Sequence, residues 1–188
     1  FQDDVAAPSQ LTSIGERAFA HVSLETLALP RSVTTIGAEF IDYNKALTSL
    51  SFGAKVSAES ITSGYAETSA LTSADVDSTN PNYESVDGVL FSKDHARLII
   101  YPAAKNPGGS YTVPEGTTEI ANKAFAEAGI VTVTLPTSLR TIGDEAFRLS
   151  ALTALTLPEG FDTVGTCAFC LAARLDTIDL GGTVTIKG

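Results

Sequence analysis

The residues whose types and spacing could do chemistry form a short set: His21 and His95, the pair Cys167 and Cys170, and the acidic run Asp75, Asp77 and Asn80. A histidine acting as general base needs a nucleophile and an orienting carboxylate within hydrogen-bond reach. Neither histidine lies in a motif that supplies them, and GxSxG, HExxH and phosphate-cradling glycine loops are absent from the sequence. Both are expected on the surface, and no catalytic residue is assigned. Cys167-Ala168-Phe169-Cys170 has the spacing used for zinc or redox work. A structural zinc site needs two further ligands, which no second Cys-x-x-Cys or nearby histidine provides, so the readings left are a local disulfide or two cysteines at variable positions. Asp75-Val76-Asp77 with Asn80 starts like a calcium loop. It lacks the glycine at loop position 6 and has Val86 where position 12 should be a bidentate glutamate, so an acidic loop is the better account. Neither a metal nor a cofactor is expected.

Composition narrows the partners. With 188 residues, 44% of them hydrophobic, the chain can bury a substantial core. A net charge of −10 with only 12 basic residues gives no positive footprint for nucleic acid or an anionic membrane surface. No apolar run approaches the roughly 20 residues of a membrane helix, and the start is not signal-like. Methionine is absent, so Phe1 is read as an internal residue of a longer reading frame, with any leader or anchor lying outside. Two cysteines are too few for a disulfide framework.

What must position any site is a repeat. PEGTTEIANKAFAEAGIVTVTL from Pro114 and PTSLRTIGDEAFRLSALTALTL from Pro136 align at a spacing of 22. Further copies begin at Pro8, Pro30 and Pro158, and a degraded one at Gly53 places Ile61 and Ala66 at the isoleucine and phenylalanine positions. A period of this size means coils that cannot bury an apolar face alone and must stack on copies of themselves. The closing part of each copy alternates with period two, as in Leu152, Leu155 and Leu157, and predicts a short strand. In the opening part, proline ends the strand while isoleucine and phenylalanine point inward. The glycine after the isoleucine permits either a positive φ or a close backbone approach. Ala18, Ala124, Ala146 and Ala168 are expected where coils crowd, with no room for a larger residue. Phe19, Phe125, Phe147 and Phe169 should form one file.

The recurring IGxxAF with a downstream LxxLxLP, as in Ile14-Gly15-x-x-Ala18-Phe19 and Ile142-Gly143-x-x-Ala146-Phe147, resembles the BspA-type (Treponema-type) leucine-rich repeat. Copy two departs from it with Phe40-Ile41 in place of Ala-Phe. At the polar or cysteine position of that family stand Val22, Asn44, Ser69, Ala128, Ser150 and Ala172, so a side-chain ladder there is expected to be weak. The resulting fold class is mainly β: a leucine-rich-repeat solenoid of about six coils of 22–24 residues, with a parallel strand ladder. Coils one to three span 8–76 and coils four to six 114–180, and 181–188 opens a further one, all in a single domain. The segment 77–113 is expected to be an inserted β-hairpin, its strands 86–91 and 97–101 joined by 92–96.

Function is then sought on the surface. Strand positions flanking the central apolar residue should face out: Thr26 and Ala28, Ser49 and Ser51, Ser73 and Asp75, Thr132 and Thr134, Ala154 and Thr156, Thr177 and Asp179. Hydroxyl side chains suit an exposed parallel sheet for structural reasons alone. They also line a repeat surface of the kind that binds extended partners. Tyr83, Phe91, Tyr101 and Tyr111 on the insert are the alternative anchors, or they pack the insert down. The resemblance implies a non-enzymatic binding or adhesion module of a secreted or cell-surface bacterial protein, contacting a protein or host component. The rival expectation is a spacer that presents other domains of a longer protein. Neither end carries an obvious polar cap, so exposed apolar edges are expected there.

Overall fold

A computed structural model describes residues 9–180 and, for its backbone only, the strand 185–186. The expected start of a further coil and the polarity of the extreme ends lie largely outside these residues. Among the described residues there is no helix. Each coil carries two strands except coil three, which keeps only the leucine-bearing one. One set holds the isoleucine positions: β1 (Ser13–Ile14), β3 (Thr35–Ile36), β10 (Glu119–Ile120), β12 (Thr141–Ile142), β14 (Thr163–Val164) and β16 (Thr185–Ile186). The other holds the leucine alternation: β2 (Thr26–Ala28), β4 (Ser49–Phe52), β5 (Ser73–Val76), β11 (Thr132–Thr134), β13 (Ala154–Thr156) and β15 (Thr177–Asp179). Both sets pair in parallel at a shift of one repeat, as in Thr141↔Thr163 and Leu155↔Ile178. The chain is a β-solenoid, and its core is the apolar interior of the coils.

Between strand and strand, the regular coils turn through two residues with positive φ that bracket the phenylalanine: Lys123 and Glu127 around Phe125, Glu145 and Leu149 around Phe147, Cys167 and Leu171 around Phe169. The glycine of IGxxAF is not one of them. It serves close approach: a Cβ on Gly143 would lie 2.4 Å from Asn122 Oδ1 and 2.6 Å from its backbone nitrogen. Phe125 stacks on Phe147 at 4.9 Å and 9°, and Phe147 on Phe169 at 5.5 Å and 13°.

The N-terminal half departs from the expectations. Phe19 is only half-buried and joins no ring stack in the described residues, and Ala18 is exposed. Phe40 occupies the alanine position of coil two yet is fully buried against Phe52 and Tyr65, so that position does accept a large residue. Coil three is out by one residue. Tyr43 N–H donates to Ala66 O as His21 N–H donates to Asp42 O, which puts Tyr65, not Ala66, at the phenylalanine position and Thr68, not Ser69, at the polar one. The physical reason is a change of spacing inside the coil. Tyr65 comes four positions after Ile61 where Phe19 comes five after Ile14, yet nine after Val56 where Ile41 comes eight after Val33, so the coil is one residue longer before its ring. Of the two positive-φ residues coil three keeps only Glu67.

The segment 77–113 is more than a hairpin. Asp87 and Gly88, both with positive φ, form a two-residue turn that splits the expected strand 86–91 into β6 (Tyr83–Val86) and β7 (Val89–Ser92). The expected antiparallel pair follows as β7 with β8 (Arg97–Ile100). From there the chain resumes the solenoid: β8 pairs in parallel with β10, and β9 (Ser110–Thr112) with β11. The pairs Arg97↔Glu119 and Tyr111↔Val133 keep the spacing of 22, so residues 93–113 make a seventh coil with altered side chains. Tyr101 takes the place of its missing phenylalanine and stacks on Phe125 at 4.8 Å.

Candidate binding surface

The leucine-bearing strands form two separate ladders, β2-β4-β5 and β9-β11-β13-β15. Their outward residues align in register. In the second ladder Ser110, Thr132, Ala154 and Thr177 make one row, and Thr112, Thr134, Thr156 and Asp179 the other, all exposed. Alternation explains this: Val133 and Leu155 between them point into the core, so their neighbours must face water. A shallow depression of about 460 Å³ runs over these strands, floored by Val133 and Leu155 and edged by Thr134, Thr137, Thr156 and Pro158.

The first ladder is different. Thr26 and Ala28 are exposed, but Ser49, Ser51, Ser73 and Asp75 are half-buried. The turn of β6-β7 folds against its edge: Ala74 N–H donates to Gly88 O at 2.8 Å, and Ser85 Oγ to Ala74 O at 3.1 Å. A Cβ on Gly88 would lie 3.1 Å from Ser73 Cβ, so glycine serves both the positive φ and the close fit. Of the expected surface residues, Thr132, Thr134, Thr156, Thr177 and Asp179 share one open face, while Ser49, Ser51, Ser73 and Asp75 sit beside the turn. Ser110 and Thr112 belong to the open face and were hidden inside the insert. The spacing of 22 from Tyr111 to Val133 is the signal that finds them.

The insert aromatics are packing residues. Tyr83 is buried, its hydroxyl donating to Ala58 O or Ser57 O and accepting from Ile61 N–H at 2.9 Å. Phe91 and Tyr101 are buried, and Tyr111 stays half-buried, 4.8 Å from Tyr101. Burial pushes the phenols of Tyr101 and Tyr111 up to about 12.

His21 lies on the surface, stacked on Tyr43 at 4.2 Å. His95 is half-buried, Nε2 3.0 Å from Glu84 Oε2, and holds that carboxylate below its ordinary range. Neither has a hydroxyl nucleophile among its side-chain partners in the described residues. Cys167 and Cys170 are joined as a local disulfide that clamps one turn. Asp77 accepts from Thr79 Oγ1 and N–H and pairs with Arg31 at 3.1 Å. Asn80 is buried and donates to the carbonyls of Gly53 and Val56, so it is a structural bracket. At the polar position after the phenylalanine only Asn44 bridges coils, donating to Phe19 O at 2.7 Å, while buried Ser150 Oγ has no partner among the described residues.

Stacked coils, each closing on an apolar strand and turning around a buried ring, define a leucine-rich-repeat solenoid. The chain belongs to the BspA-type leucine-rich repeat family, whose profile matches residues 2–96 and 108–188 in six copies. Among solved structures it is similar to a leucine-rich repeat protein from Eubacterium ventriosum, with a TM-score of 0.76 and 23% identity over 94% of this chain and 47% of that one. It is also similar to the pneumococcal vaccine antigen PcpA, at 0.60 and 26% over 96% of this chain and 61% of that one. A leucine-rich cell surface protein from Faecalibacterium prausnitzii aligns at 0.55 and 17%, over 94% and 64%. This chain therefore spans less than two thirds of the length of each. No curated protein matches the sequence.

Proposed function

We propose that the chain is a non-enzymatic binding module of a secreted or cell-surface bacterial protein, and that it holds a protein or host component on the open ladder β9-β11-β13-β15. One observation carries this reading: two rows of small exposed side chains stand in register across four coils beside a depression of about 460 Å³. Such a face admits an extended segment without steric obstruction and offers a hydroxyl at nearly every step. Support for the surface location comes from the relatives, one described as a cell surface protein and one as a vaccine antigen, and from the disulfide, which suits an oxidising compartment.

The test is an array of host matrix proteins and glycans probed with the protein and with Thr134→Arg/Thr156→Arg, which fills the depression. Binding by the parent that the double variant loses supports the reading, and equal binding by both places the contact elsewhere. A spacer role is the second reading, favoured by the lack of any aromatic or arginine side chain in the two outward rows, since such anchors usually dominate interface energy. A parent that binds nothing on the array decides for the spacer.

A further inference from the structure

The turn around Phe169 is closed twice, once through the backbone and once through a bond between side chains. Cys170 N–H donates to Cys167 O at 3.0 Å, and the sulfurs of the same two residues are joined. Four other coils make the first closure without the second: Ala20 N–H donates to Arg17 O, Asp42 to Glu39 O, Ala126 to Lys123 O and Arg148 to Glu145 O, at 3.0 or 3.1 Å. The residue that opens each of these turns has a φ of 54° at Arg17, 52° at Glu39, 56° at Lys123 and 54° at Glu145, against 52° at Cys167. The disulfide therefore imposes no backbone conformation that the repeat does not adopt without it. The bond can open while the coil stays closed.

The two cysteines differ in their surroundings. Cys167 is exposed and Cys170 half-buried. Glu145 N–H donates to Thr166 O and Leu149 N–H to Cys170 O, a register that sets Glu145 one coil before Cys167 and Arg148 one coil before Cys170. Paired strands of successive coils lie about 4.8 Å apart, so each cysteine has as its neighbour along the rod one member of an ion pair, Arg148 Nε standing 3.6 Å from Glu145 Oε2. A neighbouring cation favours a thiolate and a carboxylate opposes it. Cys170 is thus the sulfur better placed to carry negative charge. Next to it in the chain is Leu171, 65% exposed, which leaves the approach to the disulfide open.

We propose that Cys167–Cys170 is a thiol–disulfide exchange site, opened at Cys167 by a partner thiol, free or carried by a protein. The partner's thiolate attacks Cys167 Sγ. As the bond between the partner's sulfur and Cys167 forms, the bond between Cys167 and Cys170 breaks, and its electron pair leaves on Cys170 Sγ, which takes a proton from water. Exchange depends on which sulfur is accessible and on how readily the other leaves as a thiolate. Exposure selects Cys167 for attack and Arg148 selects Cys170 to leave, so both conditions choose the same direction. A partner with one thiol stays attached through the mixed disulfide. A partner with two then attacks its own sulfur in that bond, is oxidised to a disulfide, and leaves both cysteines reduced. The site lies on the turn edge and does not depend on the ladder face.

The experiment treats the whole chain with two probes, glutathione and a thioredoxin whose resolving cysteine is replaced by serine. After acid quenching and alkylation with N-ethylmaleimide, peptide mass spectrometry should find the probe on Cys167 and the maleimide on Cys170. Capture of glutathione alone assigns the site to small thiols, and capture of thioredoxin assigns it to protein thiols. Arg148→Gln should slow opening about three-fold, the effect of raising the leaving thiol by about one pKa unit, and Arg148→Lys should restore the rate. An arginine with a merely structural role would move the melting temperature and not the rate. The reduced chain should melt within about 4 °C of the oxidised one, as a loss near 1 kcal/mol implies at this size. A probe found on Cys170 instead of Cys167, no adduct with either probe, an unchanged rate in Arg148→Gln, or unfolding on reduction would each overturn the proposal.

Discussion

The two halves of the rod are joined differently from coil to coil. From Tyr101 to Phe169 a file of near-parallel rings fills the interior, each in the same place on its own coil. Between residues 9 and 76 the buried rings meet at angles, with Phe40 and Tyr65 edge to face at 81°, and charged side chains do part of the joining. Lys123 links the fourth 22-residue copy back to coil two, over coil three, through Glu39 and Asp42. Regular stacking joins coils through their rings, whereas a charge bridge spans the coil of altered spacing.

That contrast can be tested by removing one element of each kind. Phe147→Ala should cost about 3–5 kcal/mol, because the ring is 1% exposed and two neighbours stack on it, leaving a cavity that the tight coils cannot close. Urea denaturation measures this, and a loss under about 1 kcal/mol would take the phenylalanine out of the core. Lys123→Met should cost less, about 1–3 kcal/mol, since it strands the buried Asp42 carboxylate without its cation while Ala66 N–H still donates to it. A cost as large as that of Phe147→Ala would mean the bridge, and not the stacked rings, governs cohesion. Reducing the Cys167–Cys170 disulfide should cost about 1 kcal/mol or less, given its short loop at one outer turn.

Two carboxylates sharpen the comparison through pH. The Thr79 hydroxyl, then the Thr79 N–H, hold Asp77 below its ordinary range, so its contribution is present above the unfolded value of about 3.9 and fades as pH falls through the depressed folded one. Burial pushes Asp42 up and outweighs the attraction of Lys123. Its contribution has the opposite sign, present below the unfolded value and lost as pH rises through the raised folded one. Asp77→Asn should flatten the fall of stability at acid pH, and Asp42→Asn should remove the decline on the other side. Melting temperatures between pH 3 and 7 check both, and the same slope change for both variants would break the distinction.

Much of this was legible in the residues. The period of 22, the inward isoleucine and phenylalanine, and the outward threonines of β11, β13 and β15 follow from spacing and alternation alone. Asp87-Gly88 also announces a two-residue turn, and Arg97-Leu98 lies one period before Glu119-Ile120, so the split strand and the seventh coil were written in the sequence beneath an altered side-chain pattern. The position of Tyr65 was not, since in a degraded copy a one-residue change of spacing looks like substitution. Only the bond from Tyr43 to Ala66 reveals which residue fills the ring's place.

The sequence by itself determined the coil, because a repeated apolar pattern has one way to leave water, which is to stack on its own copy. Tertiary structure decided where stacking fails. Whether coil three leans toward one neighbour or the other depends on competing contacts with residues far along the chain, and Asn122 and Lys123 win that contest only once the insert has brought them alongside.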